Sequence, residues 1–297
     1  MNFPTRIATA TILGAALVAL TGCSAGSTTE TLENGDEKEI TIAVFNGWDE
    51  AVASSVLWRS VLEEQGYDVT LEYADPAPVF TGLAASDYDL NLDVWLPFTH
   101  KSYLEQYGED IVDLGAWNSE GKNAIAVNAD APINSIAELA DNADLFGNRI
   151  VGIEPGAGLT MATEERVIPT YGLEDMDYVT SSTSAMLTEL TSATRSGENI
   201  AVTLWEPHWA YSEFPLKNLE DPEGALGEME SIHTYASSEF PTSHPVASGW
   251  FENFTMDLDV FYSLENALFV EYDGDDYAPI VEKWIDDNRE YVDGLIS

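Results

Sequence analysis

The sequence predicts an α/β fold of two lobes facing each other across a cleft, and three observations predict it. Short β-rich runs alternate with helical patterns, the rhythm of a sheet covered by helices. That rhythm runs from "ITIAVF" through "DYDLNLDVW" and starts again at "NRIVGI". Each unit carries a Gly-bearing turn between a strand and a helix, "NGWDE" in the first and "EPGAG" in the second. Two such units suggest two lobes with a ligand held between them.

Taken from the N-terminus, residues 1–23 combine one positive charge at Arg6 with an apolar stretch from Ile7 to Leu20, too short for a retained spanning helix. This is a secretory signal. It ends in "LTGC", which resembles a bacterial lipobox and implies lipidation of Cys23, the chain's single cysteine. Residues 24–38 are small, polar and acidic, the composition of a flexible tether.

Residues 39–127 form the first part of lobe 1. "ITIAVF" is a strand, and Val52, Val56, Leu57, Val61 and Leu62 fall at helical spacing, with Asp49 as the expected N-cap and Gly66 as the stop. "DVTLEYA" alternates as a half-buried strand, and "DYDLNLDVW" supplies another. Residues 128–229 form lobe 2, with "RIVGI" as a strand, Leu159 to Val167 as a helix and "NIAVTLW" as a closing strand. Residues 230–297 return to lobe 1 and end in two amphipathic helical patterns that pack back upon it.

The chain has 297 residues, 45% of them hydrophobic, ample for a sizeable core. Its formal charge of −42, from 11 basic and 53 acidic residues, excludes nucleic acid as a partner. So acidic a surface is best tolerated where salt screens it, which points to a saline or osmotically variable habitat.

No G-x-S-x-G, H-E-x-x-H or Walker loop is present, and "GIEPGAG" lacks the full dinucleotide-loop spacing. With so many carboxylates, close acid pairs carry almost no information. His100, His208, His233 and His244 lack metal-ligand spacing. Neither metal nor cofactor is implied, and a secreted carboxylate-dependent hydrolase is only a remote alternative.

The tryptophans say more. Trp48 follows "ITIAVF", Trp95 ends "LNLDV" and Trp205 ends "IAVTL", the strand ends where an α/β fold exposes its ligand loops. A tryptophan is more often core filler, but three at equivalent strand ends can converge into a box for a permanent cation, which has no N–H to donate and is attracted by indole faces. "EPGAGL" adds turn and helix-start amides that favour a carboxylate, and His100 can donate a hydrogen bond. A zwitterion fits that combination better than a bare cation.

The stretches "NGWDEAVASSV", "VWLPFTHKSY", "GIEPGAGLTM" and "LWEPHWAY" resemble the signature stretches of glycine betaine substrate-binding proteins of ABC importers, over about residues 40–297. The resemblance implies a two-lobed fold of the type II periplasmic-binding-protein kind and no enzyme activity. It implies a cage of Trp48, Trp95 and Trp205 around a trimethylammonium group, and His100 with the amides of Gly158 and Leu159 around a carboxylate. His208 and Trp209 take supporting roles. The expected partners are a small zwitterionic quaternary ammonium solute and a membrane permease, with the protein a monomer tethered by Cys23 at the extracytoplasmic face. Choline, carnitine or another quaternary amine is the alternative ligand.

Overall fold

The computed structural model describes residues 30–297. Cys23, the signal-like segment and residues 24–29 lie outside the described residues.

In chain order the regular elements are β1 (Glu39–Phe45), α1 (Asp49–Glu64), β2 (Asp68–Ala74), α2 (Pro76–Ala84), β3 (Leu90–Leu96), α3 (Lys101–Tyr107), β4 (Ile111–Asn128), β5 (Arg149–Val151) and α4 (Gly158–Ala162). After a π turn at Thr163–Val167 come α5 (Ile168–Tyr171), β6 (Asp177–Val179), α6 (Thr183–Ser196), β7 (Ala201–Glu206), α7 (Ala210–Glu213), β8 (Leu216–Asn218) and β9 (Glu230–Ser237). The helices α8 (Phe240–Ser243), α9 (Pro245–Glu252), α10 (Leu258–Glu265), α11 (Ala278–Asp287) and α12 (Arg289–Leu295) complete the chain.

The strands order as β2-β1-β3-β9-β4-β7-β5-β6, with β8 beside β4. The pairs β1–β2, β1–β3, β5–β6 and β5–β7 are parallel, and β9 runs antiparallel between β3 and β4. The 18-residue β4 joins the two halves of the sheet. It pairs with β9 as far as Gly121, opposite Glu230, and with β7 from Lys122, opposite Glu206. This change of partner falls inside the segment the sequence assigns to lobe 1. The composition gave no sign of it, because one continuous strand serves both halves.

Residues 30–38 depart from the expected tether, because they are docked. The Asp36 carboxylate is buried and accepts from the N–H groups of Val246 (3.0 Å) and Ala247 (2.9 Å) in the first turn of α9, and from the Tyr67 hydroxyl (2.7 Å). A carboxylate at free helix-start amides is stabilised by both hydrogen bonding and the helix dipole.

The helix expected from Val52 onward is α1, and Gly66 follows it at φ +97°, a left-handed stop that glycine adopts freely. Asp49 differs from expectation. Trp48 occupies the N-cap position with no side-chain cap, and Asp49 is the first helical residue. The C-terminal helices α10 and α11 pack on α1, and Arg289 pairs with Glu64 at 2.8 Å beside them. Trp58, Trp117 and Trp284 are buried in the core, while the partly buried Trp250 packs edge-on against Tyr67. All four are packing residues.

Candidate functional site

The loop after β3 is tied down from several directions. Trp95 donates its indole N–H to Asp93 Oδ1 at 2.7 Å, two residues back on the same face of the strand. Its backbone N–H donates to His100 Nδ1 at 2.9 Å, and the His100 N–H donates back to the Trp95 carbonyl at 3.1 Å. Glu230, opening β9, accepts from the N–H groups of Phe98 (2.7 Å) and Thr99 (2.9 Å) and from the Thr99 hydroxyl. Gly121 leaves the space that the Trp95 ring fills, since a Cβ there would come within 2.7 Å of the indole.

Because His100 Nδ1 is an acceptor, the imidazole proton sits on Nε2. That nitrogen is buried and has no partner among the described residues. Burial lowers the His100 pKa to about 3, so the ring is neutral at physiological pH and offers a single uncharged donor.

Trp48 stands where β1 turns into α1, following Gly47 at φ +85°. Its indole N–H reaches the other half of the molecule, donating to Glu154 Oε2 at 3.3 Å. Glu154 is itself fixed by the N–H (2.7 Å) and hydroxyl (2.9 Å) of Thr183 at the start of α6. The ring of Trp48 stacks on His100 at 5.8 Å and 7°, and meets Trp205 at 6.2 Å and 56°. Trp205, at the end of β7, has His208 edge-on behind it at 5.0 Å.

Trp48, Trp95 and Trp205 thus converge, each buried, on one cavity. Glu50, Thr99, Asn123, Ile153, Ala157 and Leu159 complete its lining. Three indoles, aliphatic side chains and no basic residue make a chamber suited to an apolar-coated cation.

The other expected site residues take different places. Leu159 is in the lining, and Gly158 beside it opens α4, whose first N–H groups have no carbonyl partner within the helix. Gly158 packs so tightly on the Thr99 carbonyl that a Cβ would fall on that oxygen and within 2.7 Å of the Thr99 Cγ2. His100 lies outside the lining, stacked behind Trp48. His208 is buried, accepts from the Ala210 N–H at 3.1 Å on Nδ1 and is held neutral by burial, its pKa lowered to about 3. Trp209 donates its indole N–H to Asp49, across the cleft from α1.

Further bonds cross the same gap, including Tyr103 Oη to the Gly156 carbonyl at 3.0 Å and Asn123 Nδ2 to Thr99 Oγ1 at 2.6 Å. The two halves are therefore closed over the cavity. Thr99, Asn123, Ile153 and Ala157 were not identified from the sequence, and neither was Glu50. Glu50 lies two residues after Trp48, a signal lost among 53 acidic residues.

Asp49 is bonded to Trp209 instead of capping α1, and burial raises its carboxyl pKa from 3.8 to about 6. The folded state therefore holds this proton more tightly than the unfolded chain. The associated destabilisation is absent below about pH 4, develops as pH rises through 6 and reaches at most about 3 kcal/mol above it. The melting temperature of the ligand-free protein is expected to rise as pH falls from 7 to 5, with Asp49→Asn flattening part of that rise. An unchanged pH profile in the variant would refute this assignment.

Sequence and fold comparisons identify the family. Residues 38–287 match the substrate-binding domain of ABC-type glycine betaine transport systems, and the chain belongs to that family of binding proteins. The glycine betaine/carnitine transport binding protein GbuC of Listeria monocytogenes is 34% identical over 145 residues, 48% of this chain and 47% of that protein. The match thus spans about half the length of that curated relative. Lactococcal OpuAC, solved closed with glycine betaine, is 30% identical, with a TM-score of 0.81 over 88% of this chain and 100% of that one. The Borrelia burgdorferi glycine betaine/L-proline-binding protein ProX is also 30% identical, with a TM-score of 0.82 over 88% and 97%. The fold is the type II periplasmic-binding-protein fold that the motifs implied.

Proposed function

We propose that this chain captures glycine betaine or a closely related quaternary ammonium zwitterion for uptake through an ABC permease, as a binding protein without catalytic activity of its own. The observation that carries the reading is the indole box. Trp48 and Trp95 direct their N–H groups to Glu154 and Asp93, leaving ring faces as the attractive surface in the cavity. The trimethylammonium group lies among Trp48, Trp95 and Trp205. The carboxylate is received by the amides of Gly158 and Leu159; His100, although outside the present lining, has a buried Nε2–H without a partner among the described residues and supplies the further donor when the ligand is bound. His208 and Trp209 brace the Trp205 side.

In this reading residues 39–121 and 230–297 form one lobe and 122–229 the other, and the ligand stabilises closure through contacts that only the closed form makes. The permease then recognises the closed form. Lipidation at Cys23 would hold a monomer at the extracytoplasmic face, and uptake of such a solute serves osmoprotection.

One observation favours a second reading. Glu50 puts a carboxyl in the cavity lining, and a carboxylate there suits a net cation such as choline. His100→Ala separates the two. A buried hydrogen bond to a charged group contributes about 1.5–3 kcal/mol, so the variant is expected to bind glycine betaine roughly tenfold to a hundredfold more weakly and to leave choline almost unaffected, as read by titration calorimetry. Equal affinity of the wild-type protein for choline and betaine, with no effect of the substitution on either, would transfer the assignment to choline.

A further inference from the structure

Behind the indole box lies a group of carboxyls with no basic partner among the described residues. Glu50, in the first turn of α1, is 1% exposed, lines the cavity, and its Oε2 has no hydrogen-bond partner among the described residues. Asp93, in the middle of β3, is fully buried. Its Oδ1 accepts from Trp95, while its Oδ2 is unpaired. Glu265, the last residue of α10, is fully buried with both oxygens unpaired. The α1 helix packs on both β3 and α10, which brings the three together.

Every element facing Glu50 presents an acid or a neutral group. Asp93 comes from β3, Glu265 from α10 with the side-chain amide oxygen of Asn266, unpaired among the described residues, just beyond it, and Asp49 from α1 itself. From β7 the Trp205 indole N–H leans toward Glu50 without completing a hydrogen bond. Tyr262 lies beside Glu265.

Three buried carboxyls cannot all ionise side by side without a cation, since desolvation and mutual repulsion both favour the protonated form. Burial pushes the pKa values of all three well above the usual carboxylate range; neighbouring acids add to the rise at Glu50 and Glu265, while the Trp95 indole N–H offsets part of it at Asp93. One of the three lines a chamber built to take a permanent cation. A quaternary ammonium in that chamber brings a fixed positive charge to Glu50 in a medium of low dielectric, where such an interaction is far stronger than in water. The charge cannot be removed by deprotonating the ligand, so the carboxyl group must respond.

We propose that Glu50 is a ligand-responsive residue of the cage, and that capture of a permanent cation expels a proton from the Glu50–Asp93–Glu265 group into solvent. Before binding, the proton occupies a carboxyl oxygen. On binding, its O–H bond breaks, the proton passes to the buffer, and the carboxylate left behind faces the ammonium. The positive charge of the ammonium is thereby matched by the carboxylate it faces. This rests on the quaternary-ammonium reading of the cavity.

Two consequences follow for recognition. Affinity rises with pH wherever the empty site holds the proton and the filled site does not, by up to tenfold per pH unit, and levels off once the empty site is also ionised. A neutral ligand of the same shape gains nothing, because it offers no charge to exchange. Uptake of a proton from the buffer by His100, favoured by the ligand carboxylate beside it, would register with the opposite sign.

The test is titration calorimetry of the full soluble chain with glycine betaine at pH 6, in two buffers of different ionisation enthalpy, repeated for Glu50→Gln. The wild-type protein is expected to release a measurable fraction of one proton per ligand and to gain affinity as pH rises. Glu50→Gln is expected to release less and to lose most of the pH dependence. Zero net release by the wild-type protein would overturn the proposal even if the variant failed to fold, and release undiminished in a folded Glu50→Gln would overturn the assignment to Glu50. No heat with glycine betaine, choline or carnitine in any buffer would instead remove the quaternary-ammonium reading, and the proposal with it.

Discussion

Trp95→Ala is expected to weaken glycine betaine binding by at least about thirtyfold while leaving the protein folded. A desolvated cation–π contact contributes about 2 kcal/mol or more, and that energy corresponds to a factor of about thirty in affinity. Trp95 is placed for such a contact because its loop is over-determined. Asp93 holds the indole, His100 holds the backbone and Glu230 holds the tip. The ring faces a cavity, so truncation enlarges a space that already exists, and the cost to folding falls mainly on Asp93, which loses its donor. Trp95→Phe keeps a π face but lacks the N–H, and is expected to lie between wild type and Ala. Calorimetry alongside circular dichroism checks both variants, and wild-type affinity in a folded Trp95→Ala would remove Trp95 from the cage.

The second large effect concerns closure. A Cβ at Gly158 would fall on the Thr99 carbonyl oxygen, and Thr99 cannot retreat because Glu230 accepts from its N–H and its hydroxyl. Gly158→Ala is therefore compatible with the open protein and not with the closed one. Overpacking of this kind costs about 1–3 kcal/mol, so ligand binding is expected to fall by about tenfold to a hundredfold. Gly156→Ala is the control, two residues away in the same turn, where the nearest atom to a new Cβ is Tyr103 Oη at 3.8 Å. Small-angle scattering should show ligand-induced compaction in the control and a loss of it in Gly158→Ala. Normal compaction in both would mean that this contact does not limit closure.

Much of the architecture was legible because the local signals were strong. Alternation and helical spacing marked β1, α1, β2, β3 and β7, and the strand-end positions of Trp48, Trp95 and Trp205 brought together three residues far apart in the chain. The long β4 and its change of partner were not legible, since a strand shared by two half-sheets has no composition break at the crossing. The lining contributed by Thr99, Asn123, Ile153 and Ala157 depends on how the halves approach, which no local pattern encodes. Asp49 was misjudged because an acid at a helix start is normally a cap, and here the indole of Trp209 competes for it. Glu50, Asp93 and Glu265 were hidden by abundance. In a chain with a formal charge of −42 an acidic residue carries no signal until its burial is known.

The docked segment 30–38 has a related cause. Its small, acidic composition suits a tether, yet Asp36 finds the free amides at the start of α9 and the Tyr67 hydroxyl. The sequence shows the acid and the helix start separately, more than 200 residues apart, and only the fold joins them.

The most direct measurement compares glycine betaine with 3,3-dimethylbutanoate, the same shape with carbon in place of the quaternary nitrogen, by titration calorimetry at neutral pH. An indole box that recognises a permanent cation predicts tight binding of the betaine and binding of the neutral-headed analogue weaker by at least about thirtyfold, the equivalent of one desolvated cation–π contact. Equal affinities would contradict it, because the cavity would then be selecting an apolar shape and the three tryptophans would be serving only as its walls.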